Sequence, residues 1–300
     1  MKLYLNLVTV CLLFNSVFAG SSVYTYDNVN EWPTLFPESC AGSRQSPIDV
    51  ESDEAEYKAF DEFVIAGYDD ESVAQTLVNN GHTVQLAFEG DYNISGGGLP
   101  DAYHAAQIHF HWGSIDSQGS EHTVDGQHYP AEMHIVHVKD GMELADAVND
   151  PIGLAVLGVH IEVGDVDNED FVPILAAVQQ LKDNEVATLN STIILSHLLP
   201  DSTDHFYRYD GSLTTPSCNE AVIWTVFEKS IVLSSEQMEI FRALDDNDGH
   251  TLSDNWRPPQ PRLDRVLYKS YYTDPSVASM STMSVMTLIV AAVFVRLSSF

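Results

Sequence analysis

Gln107-Ile108-His109-Phe110-His111-Trp112-Gly113 alternates polar and apolar side chains. In an extended strand successive side chains point to opposite faces, so residues two apart share one. His109 and His111 therefore point the same way as Gln107, while Phe110 faces a core. Glu132-Met133-His134-Ile135-Val136 reads likewise, with Glu132 and His134 on one face and Ile135 on the other. Placed side by side, the two strands would bring three imidazoles together on one sheet face.

The surrounding sequence is of the same kind. Thr83 to Phe88, Ala106 to Trp112, Met133 to Val138, Leu154 to Ile161 and Ala221 to Phe227 are short β-prone runs separated by Gly, Pro, Asn and Asp. Helical spacing is clear over Val172 to Lys182 and again after Ser234, which forms a capping-box pattern with Gln237. The balance predicts a mainly β fold with peripheral helices, of the α+β class, and near-continuous apolar strands predict a sheet covered on both faces. No linker, repeat or composition break interrupts residues 20–275, which read as one domain.

The two ends read differently. Lys2, the apolar run Leu3 to Phe18 and the small-residue site at Ala19 have the layout of a signal peptide over residues 1–19. Residues 276–300 hold the apolar stretch Val285 to Val295, with small residues Ser276, Ala278 and Ser279 ahead of it. The stretch is shorter than the roughly 20 apolar residues of a spanning helix, and it has the form of a removed GPI-anchor signal with Ser276 as the attachment site. A transmembrane helix and a merely apolar tail are the alternatives. The expected location is extracellular, on the cell membrane, with the membrane surface as a partner through the lipid.

Cys11 falls inside the leader, which leaves Cys40 and Cys218 for one disulfide in an oxidising compartment. Neither has a second cysteine within four residues, so a Cys-ligated zinc site is not indicated. Asn93 and Asn190 begin glycosylation sequons. The net charge of −31 excludes nucleic acid as a partner. Acidic runs such as Asp69-Asp70-Glu71 and Asp245-Asp246-Asn247-Asp248 suggest weak cation binding.

Three histidines with an open fourth position are the ligand set of a catalytic zinc site, so Zn2+ is the expected cofactor. Such ligands need their second ring nitrogen held by an acceptor, and Gln107 and Glu132 each stand two residues before one of them on the same face. With Ser120-Glu121-His122-Thr123, Ala131 to His137, Leu213-Thr214-Thr215-Pro216 and Asn255-Trp256-Arg257-Pro258, the segment Gln107 to Gly113 resembles the α-class carbonic anhydrases, in their secreted and membrane-tethered branch. The likeness runs from Tyr24 to Tyr268.

The resemblance implies a large twisted, mostly antiparallel central sheet with zinc at the base of a conical cleft. It implies hydration of carbon dioxide to bicarbonate and a proton by zinc-bound hydroxide. Residue by residue, His109, His111 and His134 match the zinc ligands, and Gln107, Glu132 and Asn255 match the groups that orient them. Thr214 and Glu121 match the pair that orients the nucleophile, and His82 matches the proton shuttle. Thr215 matches a site wall, and Val136, Val156, Leu213, Val222 and Trp224 match the apolar pocket for carbon dioxide. Cys40 and Cys218 match the cysteine pair of the secreted branch, Tyr26 a residue of the site rim and Gln85 a variable cleft position. Intact Thr214, Glu121 and His82 argue against a purely structural zinc site. The absence of His-Glu-x-x-His and Gly-x-Ser-x-Gly motifs argues against a dedicated protease or α/β-hydrolase.

Overall fold

The computed structural model describes residues 24–71, 73–181, 186–189, 191–246 and 249–272. The expected signal peptide, the anchor segment with Ser276, and Asn190 lie outside them. The chain divides into two compact units, Met1–Ser270 and Tyr271–Phe300, and all the strands and helices below belong to the first.

Among the described residues fifteen strands follow in chain order. They are β1 (Asp49–Val50), β2 (Glu56–Tyr57), β3 (Phe63–Ala66), β4 (Val73–Asn79), β5 (Val84–Glu89), β6 (Asn93–Gly96), β7 (Tyr103–Trp112) and β8 (Thr123–Val124). After them come β9 (Ala131–Lys139), β10 (Leu154–Gly164), β11 (Val186–Thr188), β12 (Phe206–Gly211), β13 (Val222–Phe227), β14 (Ile231–Ser234) and β15 (Tyr268–Lys269). Thirteen form one sheet whose main path is β11-β4-β5-β7-β9-β10-β13-β12-β15-β2. Its pairings are antiparallel except β10 with β13, β10 with β14, and β15 with β2, so the mostly antiparallel expectation holds. β1 and β8 form a separate parallel pair.

The central strands are buried on both faces, as their apolar runs predict; every residue of β13 is buried, and all of β9 except Lys139. One face carries the core. Phe110, Met133, Ile135, Leu157, Val159 and Phe227 pack there against two short helices. Each fully buried apolar side chain of this size contributes about 1.5–3 kcal/mol. The helix Ser235–Arg242 is held by the expected capping box: Ser234 Oγ accepts from the Gln237 N–H at 3.1 Å, and Gln237 Oε1 accepts from the Ser234 N–H at 3.1 Å. The helix Val172–Val178 stops short of the expected end at Lys182. Just past its end, the N–H groups of Gln180 and Leu181 bond three residues back rather than four, so the chain leaves the helix in a tighter turn.

β7 begins at Tyr103, three residues before the alternation suggests, because a β-bulge reverses its phase. Ala105 pairs with His137 and Gln107 with Val136, which leaves Ala106 as the extra residue. Tyr103 and Ala105 face the core before the bulge, and Ile108, Phe110 and Trp112 face it afterwards. The bulge thereby sends Gln107, His109 and His111 to the opposite face.

Cys40 and Cys218 form a disulfide across 178 residues of sequence. It is buried with Trp32, and Tyr24, Tyr26, Val29 and Phe36 pack on this cluster. The Cys218 N–H donates to Thr215 O at 2.7 Å, so the bridge ties the loop that carries Thr214 and Thr215 to the N-terminal segment. A cross-link over so long a loop restricts the unfolded chain strongly, and replacing both cysteines with serine should lower the unfolding free energy by about 2–5 kcal/mol. Denaturant titration of the double variant checks this, and an unchanged midpoint would contradict it.

Candidate metal centre

The register of three strands builds the site. His109 on β7 stands directly opposite His134 on β9, and His111 opposite Glu132. The three imidazoles bring one ligand nitrogen each to within 4.8 Å of one another. His134 Nδ1 lies 3.2 Å from His109 Nε2.

Each ring is turned by an acceptor on its far nitrogen. His109 Nδ1 donates to Gln107 Oε1 at 3.0 Å, His111 Nδ1 to the Asn255 carbonyl at 2.7 Å, and His134 Nε2 to Glu132 Oε1 at 2.7 Å. With those protons committed, Nε2 of His109, Nε2 of His111 and Nδ1 of His134 are left as lone-pair donors. Burial, before any other cause, pushes all three imidazoles below their ordinary range, His111 to about 3. They are neutral near pH 7.

Asn255 also fixes the strand that carries His111. Its side-chain Oδ1 accepts from Trp112 N at 2.7 Å, and its Nδ2 donates to His82 O at 2.9 Å.

Glu132 is fully buried and is the hub beneath the histidines. Its Oε2 accepts from the backbone N–H groups of Glu121 at 2.9 Å and His122 at 2.7 Å, and its Oε1 from the rings of His122 and His134, both at 2.7 Å. Burial alone would raise this carboxyl, but His122 and His134 hold it well below the usual carboxylate range. Gly158, opposite His134, makes the room: a Cβ there would sit 3.1 Å from Glu132 Oε1.

Glu121 is also fully buried, and burial pushes its carboxyl well above the usual range against the opposing pull of the Thr214 hydroxyl and the Arg257 N–H. Its Oε1 accepts from Arg257 N at 2.8 Å. Its Oε2 lies 3.3 Å from His111 Nε2 and 3.9 Å from His134 Nδ1, and His111 Nε2 has no hydrogen-bond partner among the described residues. A divalent cation among the imidazoles would satisfy the orphaned His111 nitrogen and would oppose the upward shift of Glu121 by Coulomb attraction. Three neutral imidazoles with fixed tautomers are a donor set that fits zinc.

Val136, Val156 and Trp224 stand side by side across β9, β10 and β13, in the row next to His109 and His134. Val222 shares their face one pleat away, and Leu213 and Thr214 are buried on the adjoining loop. The Trp224 ring packs 4.8 Å from that of His134 and donates from Nε1 to Ser212 O at 3.0 Å. Gln85, buried on β5 opposite His109, has an Nε2 with no partner.

His82 is half-buried, with its ring stacked on Tyr24 at 4.2 Å; burial lowers its pKa, and Asp246 opposes that shift. Tyr26 packs on Trp32 and Tyr24 and feels the Glu121 charge. Asn93 is half-buried on β6 and donates to Asp91 Oδ1 at 2.9 Å. The runs at Asp69 and Asp245 form no close ligand group among the described residues.

Two contributors escape sequence reasoning. His122 links Glu132 to the Tyr209 hydroxyl at 2.6 Å, and Tyr209 donates on to Ser46 Oγ at 2.9 Å. Tyr24, rather than Tyr26, covers His82 and hydrogen-bonds Thr215. His122 stands in the motif Ser120-Glu121-His122-Thr123, but nothing local marks a partner 87 residues away.

The model of the eukaryotic-type carbonic anhydrase family matches residues 27–271. The chain is 38% identical to human carbonic anhydrase 12 over 84% of its own length and 74% of that protein's. It is 38% identical to carbonic anhydrase 4 of Oryctolagus cuniculus over 79% of each chain, and 37% identical to carbonic anhydrase 7 of Mus musculus over 82% and 95%. With the sheet, the three converging imidazoles and the disulfide already in place, this chain belongs to the eukaryotic-type carbonic anhydrase family and is an enzyme of that family.

Proposed function

We propose that the chain hydrates carbon dioxide reversibly to bicarbonate and a proton on a zinc ion held by His109, His111 and His134. The observation that carries this is the set of three imidazoles, His111 and His134 buried and His109 half-buried, each with its far nitrogen already bonded and its near nitrogen within 4.8 Å of the other two. Zinc bound there would act as a Lewis acid that lowers the pKa of its water to about 7, a value general to carbonic anhydrases.

The chain's own residues supply the rest. Thr214 has one hydroxyl hydrogen, and giving it to Glu121 leaves only lone pairs toward the site, so the oxygen there can act only as an acceptor. This fixes the direction from which a nucleophile's O–H must point. Val136, Val156, Leu213, Val222 and Trp224 form a dry wall suited to a substrate without charge or dipole. His82, whose pKa burial lowers, is neutral near pH 7 and would accept the proton each turnover releases.

Secretion after a leader of residues 1–19, glycosylation at Asn93 and Asn190, and a lipid anchor at Ser276 complete the proposal, and the acidic surface would draw cations weakly. No helix among the described residues is long and apolar enough to cross a membrane.

His109→Ala should lose both zinc and hydration, whereas Thr214→Ala should keep zinc and slow hydration by about 10²-fold or more, the scale of one lost orienting contact in the transition state. Metal analysis with stopped-flow hydration separates the two; full activity in either variant would overturn its assignment. His82→Ala should drop kcat in dilute buffer toward about 10³ s⁻¹, the rate of proton loss to bulk water from a group of pKa about 7 when recapture approaches roughly 10¹⁰ M⁻¹s⁻¹. Its kcat/KM should hold, and added imidazole should restore kcat; an equal fall in both parameters would remove the shuttle role. A phosphatidylinositol-specific phospholipase should release the protein from intact cells, and retention would favour a transmembrane helix.

A further inference from the structure

The chain carries 44 Asp and Glu residues against 13 Lys and Arg, yet four of those basic residues line one pocket away from the histidines. Arg44, Lys58, Arg208 and Arg265 surround about 390 Å³, with Asp210 the one acidic residue in the wall. That volume lies at the small end of ligand sites. Phe60, Tyr268, Ile152 and Val266 give it apolar sides.

Arg208 forms its innermost charge. It lies on β12, where Tyr209 turns to His122 and the metal centre while Arg208 takes the opposite face. Its side chain is 4% exposed, and one of its nitrogens donates to Thr225 Oγ1 at 2.9 Å. Nε and Nη1 are buried with no acceptor among the described residues. The rings of Phe60 and Phe206, at 5.5 and 5.1 Å from the guanidinium carbon, offset part of the charge but offer no acceptor. Asp210, the acidic group whose charge reaches it most strongly, is exposed and screened. A buried guanidinium without a counter-charge is costly, and buried donors without partners point to an absent water or ion.

The other cations are differently employed. Arg44 pairs with Glu220 at 3.5 Å, and Arg265 is spent on backbone carbonyls, among them Gln45 O at 2.8 Å. Lys58 is exposed, with its ammonium 4.4 Å from the Tyr268 ring centroid and among the described residues no carboxylate within ion-pair distance. Gly98, at φ +80°, closes the wall, since a Cβ there would meet the Phe60 ring at 2.3 Å and lie 3.6 Å from Arg208 Nη1.

We infer that this pocket binds a small oxyanion, such as bicarbonate, phosphate or an organic carboxylate, held between the Lys58 ammonium at the mouth and the uncompensated Arg208 charge beneath. The ligand neutralises a charge that the fold buries without a partner. The size of the cavity and its aromatic walls favour a polyatomic anion over a halide.

Isothermal titration of the zinc-loaded protein with sodium phosphate and with sodium benzoate, at constant chloride, tests this. At least one of the two should bind the wild type, and binding should persist undiminished in His109→Ala, which separates the pocket from the metal centre. Arg208→Met should weaken it about tenfold or more, the fold-change of one charge-assisted contact. Lys58→Met, on an exposed side chain that folding does not need, should weaken it severalfold and decides the matter if Arg208→Met fails to fold. Both variants should retain wild-type kcat/KM for hydration. Preference for phosphate marks a dianion site and preference for benzoate a carboxylate site. Absence of binding, loss of it in His109→Ala, or indifference to both substitutions would overturn the inference.

Discussion

A neutral imidazole can offer a lone pair in a chosen direction only if its other nitrogen carries the proton and has somewhere to put it. Three such rings must do this together, and the acceptors they use are a side-chain amide on the same strand, a backbone carbonyl 144 residues away and a buried carboxylate. The carboxylate is the most demanding of the three. Glu132 is tolerable in the interior because four donors from two segments converge on it, and because a glycine on the neighbouring strand leaves space for it. The sheet register, the loop at Asn255 and the segment Glu121-His122 are all fixed by that requirement.

The same dependence explains which parts could be read from sequence. Strand alternation places His109, His111 and His134 on one face, because side-chain direction along a strand is a local property. The Ser234 capping box is local too, and it stands as expected. The bulge at Ala106 is not local, since nothing in Tyr103-His104-Ala105-Ala106 shows that His137 and Val136 face it across a pair of strands. Without that bulge, Tyr103 and Ala105 would share a face with the histidines. The relay from Glu132 through His122 and Tyr209 to Ser46 is illegible for the same reason, as each step joins residues far apart in sequence. The family resemblance supplies the roles of Thr214 and His82, which neither spacing nor composition gives.

Charge is distributed as unevenly as chemistry. The net charge of −31 repels polyanions, while the guanidiniums of Arg208 and Arg257 are buried. Arg257 spends its donors on Gln45 and Ser46 and its backbone N–H on Glu121, so its charge braces the metal centre. Arg208 has no such employment, and the two arginines differ less in burial than in what accepts their protons.

The proposed hydration turns on the three imidazoles holding one functional zinc ion, and reconstitution tests that most directly. Metal-depleted protein would be titrated with zinc while carbon dioxide hydration is followed by stopped flow. No hydration above background is expected without metal, followed by a linear rise that ends at one zinc per chain. Hydration that survives depletion, or a protein that fills with one zinc and stays inactive, would contradict it.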